Sequence, residues 1–467
     1  MLDRNISVRA FAAAALILLI GAVLLGWAAT LVARDKTTHR AAQVAFLITQ
    51  FPEDVHDSFE ELRLMLSASA REELVSVPAD VDPVARGYRP LSEGIFIDAQ
   101  PDYARGWRYL GGAFRVNGTA QNAVVILSPD LEMVALWPIG EQALRNVVGN
   151  PDAITPDYRK LLHGLAVLPD GSFAFAMDNG TSLQRFDTCG GLVWIKPGSF
   201  HHSVHYSEGR LWALRDFDYA PVGAGWENSH WGQTGAVAVD AETGEERLAL
   251  SFDQIRAANP NISLIDLPRM QEDEPWLNPE HVEGLYMQDP FHLNDVEPLP
   301  ADMAAAFPQF AAGDLMISAR TLNTVLVVDP ETAQIKWYAT GQTNRQHDPD
   351  WRSDGTISVF DNRMGRRTSQ IVALQPAEVM GREVLLDGAE HDFYSFIRGK
   401  HSFRPDGTLA VISAQQGRVF EIAPDGRRVF ELYSTDPDDP ARNFAITSMA
   451  FVPEGDLTME EFSCNDI

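Results

Sequence analysis

A unit of roughly 40 residues recurs through the body of this chain, and no other feature restricts the fold as strongly. Each copy runs from a histidine through a short apolar strand, a turn with Asp or Glu before Gly, and a second strand. The copies are HGLAVLPDGSFAFAM from His163, HHSVHYSEGRLWAL from His201, FHLNDVEPL from Phe291 with GDLMISA from Gly313, QHDPDWRSDGTISVFDN from Gln346, and HSFRPDGTLAVISA from His401. Their turn glycines, Gly171, Gly209, Gly313, Gly355 and Gly407, are separated by 38, 104, 42 and 52 residues. Since propeller blades repeat about every 40–50 residues, the pattern predicts a β-propeller with one long insertion.

Two further stretches complete the count of blades. GGAFRVNGTAQNAVVIL starts at Gly111, and NFAITSMAFVPEGDL starts at Asn443, close to the other end of the body. We expect them to pair in one closing blade, because ring closure removes exposed sheet edges. The sequence therefore predicts an all-β, six-bladed β-propeller over residues 94–467. A β-sandwich or a solenoid would be the alternative, but a sandwich does not explain the repeat.

The N-terminal region has a different character. Residues 11–33 are 23 residues without a charge, which as a helix would span about 34 Å and cross a bilayer. A membrane anchor is therefore expected over residues 1–36, with a cleaved signal peptide as the alternative. Apolar residues at helical spacing follow, which predicts a helical stalk within residues 37–93, or a helix packed on the main domain. Arginine and lysine flank the apolar segment on both sides, so charge does not fix its orientation.

Charge and cysteine content limit the classes of partner. The chain has 65 acidic residues against 37 Lys and Arg, a net charge of −28, which would repel a phosphate backbone. Nucleic acid is thus excluded as an expected partner. The two cysteines, Cys189 and Cys464, are too few for a cysteine-based zinc site. One disulfide and two free thiols both stay open.

The repeated histidines are the candidate functional residues. The first strand of each propeller blade lines the central channel, so equivalent positions of the repeat meet around one axis. Five of the 12 histidines occupy this position. They are His163, His201 or His202, His292, His347 and His401. A scaffold role is the alternative, but it predicts similar neighbours in every copy, whereas these histidines have different ones.

The order of short motifs carries a family resemblance. H-x-N begins at His292, S-A-R ends at Arg320, V-D-P-E-T-A-Q-I-K-W ends at Trp337, Q-H ends at His347, and S-V-F-D-N follows. This series resembles the bacterial arylsulfate sulfotransferases, six-bladed propeller enzymes that do not use a nucleotide sulfate donor. The resemblance runs from about Gly111 onward.

The resemblance implies a role for each matching residue. His347 would match the histidine that takes the sulfuryl group, while His292, Asn294 and Arg320 would hold the sulfuryl oxygens and assist proton transfer. His202 would match the remaining channel histidine. His201 and His401 are weaker candidates for substrate binding, with a scaffold role the stronger expectation for His401 and for His163. Asp361, Asn362 and Arg363 match a strand-end motif, for which turn formation and packing are expected.

The resemblance also implies the reaction and its place in the cell. It predicts ping-pong transfer from an aryl sulfate donor to a phenolic acceptor through a sulfohistidine, without cofactor or metal. The family's best-known members are soluble periplasmic proteins, so the expected anchor at residues 11–33 is a departure from the family. Together they predict a single-pass membrane protein with its propeller in the periplasm. The chemistry agrees, because Arg stabilises charge on transferring oxygens and a neutral imidazole is a capable nucleophile near pH 7. A second histidine could serve as general base for the phenol.

Other functions stay open on the sequence alone. The propeller could be a membrane-anchored docking module without catalysis, since fold does not decide function. Turns at Asp240 and at Asp329 resemble those of quinoprotein dehydrogenases, although no cluster of calcium ligands stands out. A zinc site at His202, His292 and His347 is conceivable, but Arg320 beside them would disfavour a cation.

Overall fold

A computed structural model describes residues 76–140, 161–177, 182–217, 234–263 and 291–464. The first half of this part contains β1 (Ser76–Pro78), β2 (Arg89–Ser92), β3 (Ile95–Ala99), β4 (Gly106–Val116), β5 (Thr119–Leu127), β6 (Met133–Pro138), β7 (Leu162–Val167), β8 (Phe173–Met177), β9 (Ser182–Phe186), β10 (Leu192–Pro197), β11 (Ser199–Ser207), β12 (Arg210–Asp216), β13 (Thr234–Asp240), β14 (Glu246–Ser251) and helix α1 (Phe252–Ala258). The second half contains β15 (Leu293–Pro298), β16 (Leu315–Ala319), β17 (Thr324–Val328), β18 (Ile335–Thr340), β19 (His347–Trp351), β20 (Ile357–Asp361), β21 (Gln370–Gln375), β22 (Gly381–Asp387), α2 (Gly388–His391), β23 (Lys400–Phe403), β24 (Leu409–Ser413), β25 (Arg418–Ile422), β26 (Arg428–Ser434), β27 (Arg442–Phe444) and β28 (Ile446–Pro453).

The strands form six antiparallel blades within the described residues. Blades 1 to 4 are β7–β10, β11–β14, β15–β18 and β19–β22. Blade 5 is β23–β26 with β3 and β2 added outside, and blade 6 is β28, β4, β5 and β6. The first strands contact one another in the order β7, β11, β15, β19, β23, β28 and back to β7. The predicted six-bladed propeller with a central channel is therefore confirmed.

The sequence of each blade explains its layers. Middle strands such as β16 (LMISA) and β17 (TVLVV) are buried throughout, because each lies between two neighbouring blades. The outer strand β18 (IKWYAT) alternates between exposed and less exposed positions, as expected for a strand with one face in water. The five turn glycines predicted from the repeat all have positive φ, between 76° and 87°. Hairpin turns need this conformation, and glycine adopts it without strain.

Both ends of the described chain close the ring. β28 pairs with β4, so the predicted pairing of the two terminal stretches in one blade is confirmed. Blade 6 is joined to blade 5 by an ion pair between Arg108 and Glu421, with N–O 2.8 Å and both side chains fully buried. Arg404 contacts the same carboxylate at 2.9 Å. A disulfide links Cys189 in blade 1 to Cys464, so of the two alternatives for the cysteines the bridge is present.

The region before residue 94 differs in part from its prediction. The predicted membrane segment 11–33 and the stalk up to residue 75 lie outside the described residues, and both stay predictions. Within the described part of the chain, no helix has the length and hydropathy needed to span a bilayer. Residues 76–93 belong to the segment predicted as stalk or linker, and they contain β1, which pairs with β27, and β2, which pairs with β3 of blade 5. The chain from Ser76 onward is thus joined to the propeller by backbone pairing.

Candidate functional site

Irregular starts of the inner strands set up the site. The pairing of first and second strands shifts register at His201–Val204 in blade 2, at Leu293–Asp295 in blade 3 and at His347–Asp350 in blade 4. Such bulges twist the strand locally and redirect side chains. His202 and His292 accordingly have left-handed backbones, with φ of 58° and 45°. This conformation is uncommon outside glycine and marks positions that the surrounding structure constrains.

Four histidines from four consecutive blades meet in the channel. The ring centroids of His163 and His202 lie 4.5 Å apart, those of His202 and His292 lie 4.7 Å apart, and those of His163 and His347 lie 6.4 Å apart. Gly164 allows this approach, since a Cβ there would lie 2.2 Å from the carbonyl oxygen of His202. The repeat therefore does gather its histidines around the axis.

His347 is held by hydrogen bonds at both ring nitrogens. Its Nδ1 lies 2.7 Å from Asn362 Oδ1, and Asn362 Nδ2 donates to the carbonyl oxygens of Ser395 and Arg398, at 2.6 Å each. Because both amide hydrogens go to carbonyls, Oδ1 must face His347, and Nδ1 must carry the hydrogen. The lone pair of His347 is then on Nε2, where it accepts a hydrogen bond from the backbone N–H of Arg398 at 3.2 Å.

Burial, reinforced by nearby positive charge, keeps His347 and His202 neutral. The pKa of His347 lies well below its usual range because of burial, and next because of the positive charge of Arg320. The pKa of His202 is also far below its usual range, through burial and the proximity of His163, His292 and other histidines. Both rings are therefore neutral near pH 7, and His347 Nε2 keeps its lone pair there.

Arg320 and Asn294 join the cluster from blade 3. Arg320 begins the 3-10 helix Arg320–Leu322 after β16, and its backbone N–H donates to the carbonyl oxygen of His292 at 3.1 Å. Asn294 is buried, and its Nδ2 donates to the carbonyl oxygen of Gln346 at 2.7 Å. Part of its donor capacity is thus spent on positioning the chain next to His347. The five residues predicted as catalytic, His347, His292, Arg320, His202 and Asn294, all come from three neighbouring blades.

His201 lies behind His202 instead of in the cluster. Its Nδ1 is 2.7 Å from Nδ1 of His202, and its Nε2 is 3.4 Å from Oδ1 of Asp216. His202 Nε2 in turn lies 3.0 Å from His292 Nε2. Of the two neighbouring histidines, His202 therefore faces the other channel histidines.

His401 belongs to a second network further along the inner strands. Its Nε2 is 2.8 Å from Ser358 Oγ, and its Nδ1 is 3.2 Å from Asp348 Oδ2. The ammonium of Lys400 lies 2.5 Å from the other oxygen of Asp348, and a cavity of about 690 Å³ adjoins these residues. Burial raises the pKa of Asp295 in this network to about 7, the nearby charge of Lys400 opposing the rise. Within the residues that the structure describes, no hydrogen bond or ring contact joins His401 to the histidine cluster, so the geometry does not support the weaker expectation that His401 binds substrate.

Among the described residues, the set with closely spaced metal-ligand atoms is Asp348, Asp350 and His401, all within 4.8 Å of one another. The imidazole of His401 lies between the two carboxylates, with Nε2 3.6 Å from Asp350, and Lys400 already provides a cation. The zinc alternative at His202, His292 and His347 finds no such grouping in the described part of the chain.

Sequence reasoning missed two residues that hydrogen-bond to the site histidines. His163 was named among the repeated channel histidines, with scaffold as the stronger expectation, and its ring packs against that of His202. Asn362 was expected to form a turn, but its carboxamide holds His347. Asp216 ends β12 and has no motif of its own, so the sequence gives no signal for it.

Comparison with known proteins adds a family. The family model described as arylsulfotransferase (ASST) matches residues 165–435, more than half of the chain. A search of curated proteins finds no match.

The solved structures that resemble the chain are distant. They include a protein of unknown function from Bacteroides caccae with 11% identity and a TM-score of 0.45, covering 75% of this chain and all of that one. A streptogramin B lyase has 11% identity and a TM-score of 0.38, covering 78% of this chain and all of that one. A chain of a nidogen–laminin complex has 10% identity and a TM-score of 0.40, covering 74% of this chain and 98% of that one. At these values the structural likenesses carry no argument.

Proposed function

Because this chain belongs to the arylsulfotransferase family, we propose that it transfers a sulfuryl group from an aryl sulfate ester to a phenolic acceptor, with His347 as the nucleophile. The observation that carries the proposal is the state of His347. Its Nδ1 hydrogen is fixed by Asn362, and its lowered pKa leaves the Nε2 lone pair unprotonated near pH 7. That lone pair accepts one hydrogen bond, from the backbone N–H of Arg398 at 3.2 Å. A buried neutral imidazole held in one tautomer is what nucleophilic catalysis by histidine requires.

In the first half-reaction His347 Nε2 gives up the hydrogen bond from the Arg398 N–H and attacks the sulfur of the donor. The N–S bond forms while the bond between sulfur and the aryl oxygen breaks, and its electron pair leaves on the phenolate oxygen. Nδ1 keeps its hydrogen, so the positive charge that develops on the ring is stabilised by the Asn362 oxygen. The phenolate takes a proton from water, because His202 and His347 are neutral in the resting enzyme.

In the second half-reaction the acceptor phenol attacks the same sulfur. The phenolic O–H loses its proton to a neutral histidine of the cluster, an O–S bond forms, and the N–S pair returns to His347 Nε2. An aryl sulfate and free enzyme result. An unaided phenol is a weak nucleophile because its pKa is about 10, so a neutral neighbouring imidazole serves as general base.

Arg320 supplies the positive charge that this transfer needs. Its guanidinium is close enough to lower the pKa of His347, and it is protonated at all relevant pH values. Stabilising charge on the sulfuryl oxygens by such fixed donors is the main catalytic contribution available to a protein in group transfer of this kind. The net charge of −28 therefore does not describe the channel around His347.

The test is transfer from 4-nitrophenyl sulfate to phenol by the purified propeller region, followed by phenolate absorbance. We expect turnover in the wild type and in the control variant His391→Ala, which alters a histidine of α2. His347→Ala should lose transfer while keeping its thermal unfolding midpoint within a few degrees. Equal turnover in His347→Ala and the control would refute the nucleophile, and no turnover with any aryl sulfate would refute the reaction.

We also propose that the propeller works outside the cytoplasm, held by the apolar segment 11–33. The disulfide between Cys189 and Cys464 supports this, because such bonds persist in oxidising compartments. Reporter fusions after Ile467 test the topology: a reporter active only in the periplasm should function, and one active only in the cytoplasm should not. The opposite result would refute the location.

A further inference from the structure

Hydrogen-bond distances connect a carboxylate at the end of β12 to the channel. Asp216 Oδ1 contacts His201 Nε2 at 3.4 Å, His201 Nδ1 lies 2.7 Å from His202 Nδ1, and His202 Nε2 lies 3.0 Å from His292 Nε2. Each of the two inner contacts joins two ring nitrogens, so one of each pair must donate and the other accept.

The carboxylate fixes the direction of the whole series. An ionised carboxylate accepts hydrogen bonds only, so a neutral His201 carries its hydrogen on Nε2 and presents a lone pair on Nδ1. His202 then donates from Nδ1 and accepts on Nε2, and His292 donates from Nε2. The lone pair of His292 is consequently on Nδ1. With the opposite tautomers, the lone pair of His201 would face the negative charge of Asp216, which is electrostatically unfavourable.

The environment of Asp216 keeps its carboxylate ionised. Burial alone would raise its pKa, but hydrogen bonds from His201, Thr234 and Ser199 outweigh burial, and its pKa is lowered. The carboxylate is therefore ionised throughout the neutral range. Ser199 Oγ lies 3.2 Å from Oδ2, which leaves Oδ1 to His201.

We propose that Asp216 and His201 are positioning residues that act through His202, orienting His292 as the general base for the acceptor phenol and stabilising its protonated form. This inference rests on the proposed sulfuryl transfer. When the phenol attacks, its proton goes to His292 Nδ1, and the positive charge that results is shared along the hydrogen-bonded series toward the Asp216 carboxylate. His292 then releases the proton to water, which restores the neutral cluster, and the donor's phenolate takes its proton from water, so protons balance over one turnover.

A proton on the histidine cluster needs a negative charge to compensate it. Burial lowers the pKa of His202 most, and the nearby His163, His292, His201 and His347 lower it further. Arg320 adds a fixed positive charge beside His347. A proton placed on this cluster is therefore unfavourable unless a negative charge compensates it, and Asp216 supplies one through hydrogen bonds.

The test separates the two half-reactions in Asp216→Asn, with Asp253→Asn on α1 as the matched control. Wild-type enzyme mixed with 4-nitrophenyl sulfate alone should release one 4-nitrophenolate per chain, and this leaving group departs without protonation. We expect Asp216→Asn to keep this burst, which also reports the folded fraction, but to transfer the sulfuryl group to phenol about 100-fold more slowly. Its acid limb for that step should move to lower pH, because the base loses the carboxylate that raises its pKa.

Asp216→Glu should recover part of the rate, which a purely structural defect would not predict. A wild-type rate and pH profile of transfer to phenol in Asp216→Asn would overturn the inference. Side-chain ¹⁵N spectra give a readout independent of activity, with His202 protonated on Nδ1 and His292 on Nε2 in the wild type. The opposite tautomers would overturn the series, whereas an absent burst in wild-type enzyme would instead overturn the proposed function.

Discussion

Replacing Asn362 by aspartate exchanges the amide NH2 group for an oxygen next to the nucleophile, and it tests how Asn362 controls the protonation of His347. In the wild type, Oδ1 accepts from His347 Nδ1 at 2.7 Å, and Nδ2 donates to two carbonyl oxygens at 2.6 Å. The carboxylate introduced by Asn362→Asp keeps the acceptor but places a negative charge at the imidazole, and its second oxygen faces the carbonyls of Ser395 and Arg398. The substitution therefore affects both the protonation of His347 and the stability of the loop that holds it.

Two magnitudes follow from these contacts. An opposite charge at this distance raises a histidine pKa by about 1–3 units, from its position well below the usual range. The nucleophile is then protonated and inactive over a wider acidic range, so the acid limb of the rate moves to higher pH by the same amount. Two lost hydrogen bonds, each worth about 1 kcal/mol, predict a loss of about 2 kcal/mol in the free energy of unfolding, before any repulsion between oxygens.

The assay is the pH dependence of the 4-nitrophenolate burst, which reports attack by His347 alone, together with urea unfolding. Asn362→Asp should approach the wild-type burst rate only at high pH, and Asn362→Ala should lose rate without the shift in the acid limb. An unchanged acid limb in Asn362→Asp would refute the contact as the control of His347. So would an unchanged free energy of unfolding in both variants.

Three further predictions concern stability. Arg108→Met leaves the buried carboxylate of Glu421 with Arg404 alone, and we expect the free energy of unfolding to fall by about 3 kcal/mol in urea titrations. Burial alone would raise the pKa of Glu421, but the positive charges of Arg404 and Arg108 outweigh burial, and its pKa is lowered. The stability that the ionised Glu421 contributes is therefore fully present above about pH 4.3 and is lost as the pH falls through the depressed native value. Glu421→Gln should therefore weaken the acid dependence of unfolding, and an unaltered dependence would contradict this origin. Replacing Cys189 and Cys464 together by Ser should cost about 2–4 kcal/mol, and an unfolding free energy equal to that of the oxidised wild type would contradict the role of the bridge.

The sequence was sufficient for the propeller because each blade is local. Strands, hairpin glycines and inner histidines recur within one unit, and the contacts that form a blade are between neighbours in the chain. The closing blade could be predicted from the two stretches left over at the ends. The additions to blade 5 could not, since β3 pairs with β26 far away in sequence and β2 carries no signal of its own.

For the site, the sequence identified the histidines that recur in the blades but gave no role there to Asn362 and Asp216, which lie within hydrogen-bond distance of two of them. His201 and His202 are adjacent, and a regular strand would place them on opposite faces without saying which faces the channel. The bulge and the left-handed backbone of His202 decide it. Asn362 reaches His347 because residues 395–399 fold against both, where Gly399 at φ 102° lies so close to Phe360 that a Cβ would come within 2.5 Å of its ring. Such contacts arise from tertiary packing.

The most direct test of the account is to find where the sulfuryl group resides. Enzyme incubated with an aryl sulfate and no acceptor, then digested at high pH and analysed by tandem mass spectrometry, should carry one sulfuryl group on the peptide containing His347, and subsequent phenol should remove it. An adduct on another histidine, or transfer that proceeds with no adduct on His347, would contradict the central claim.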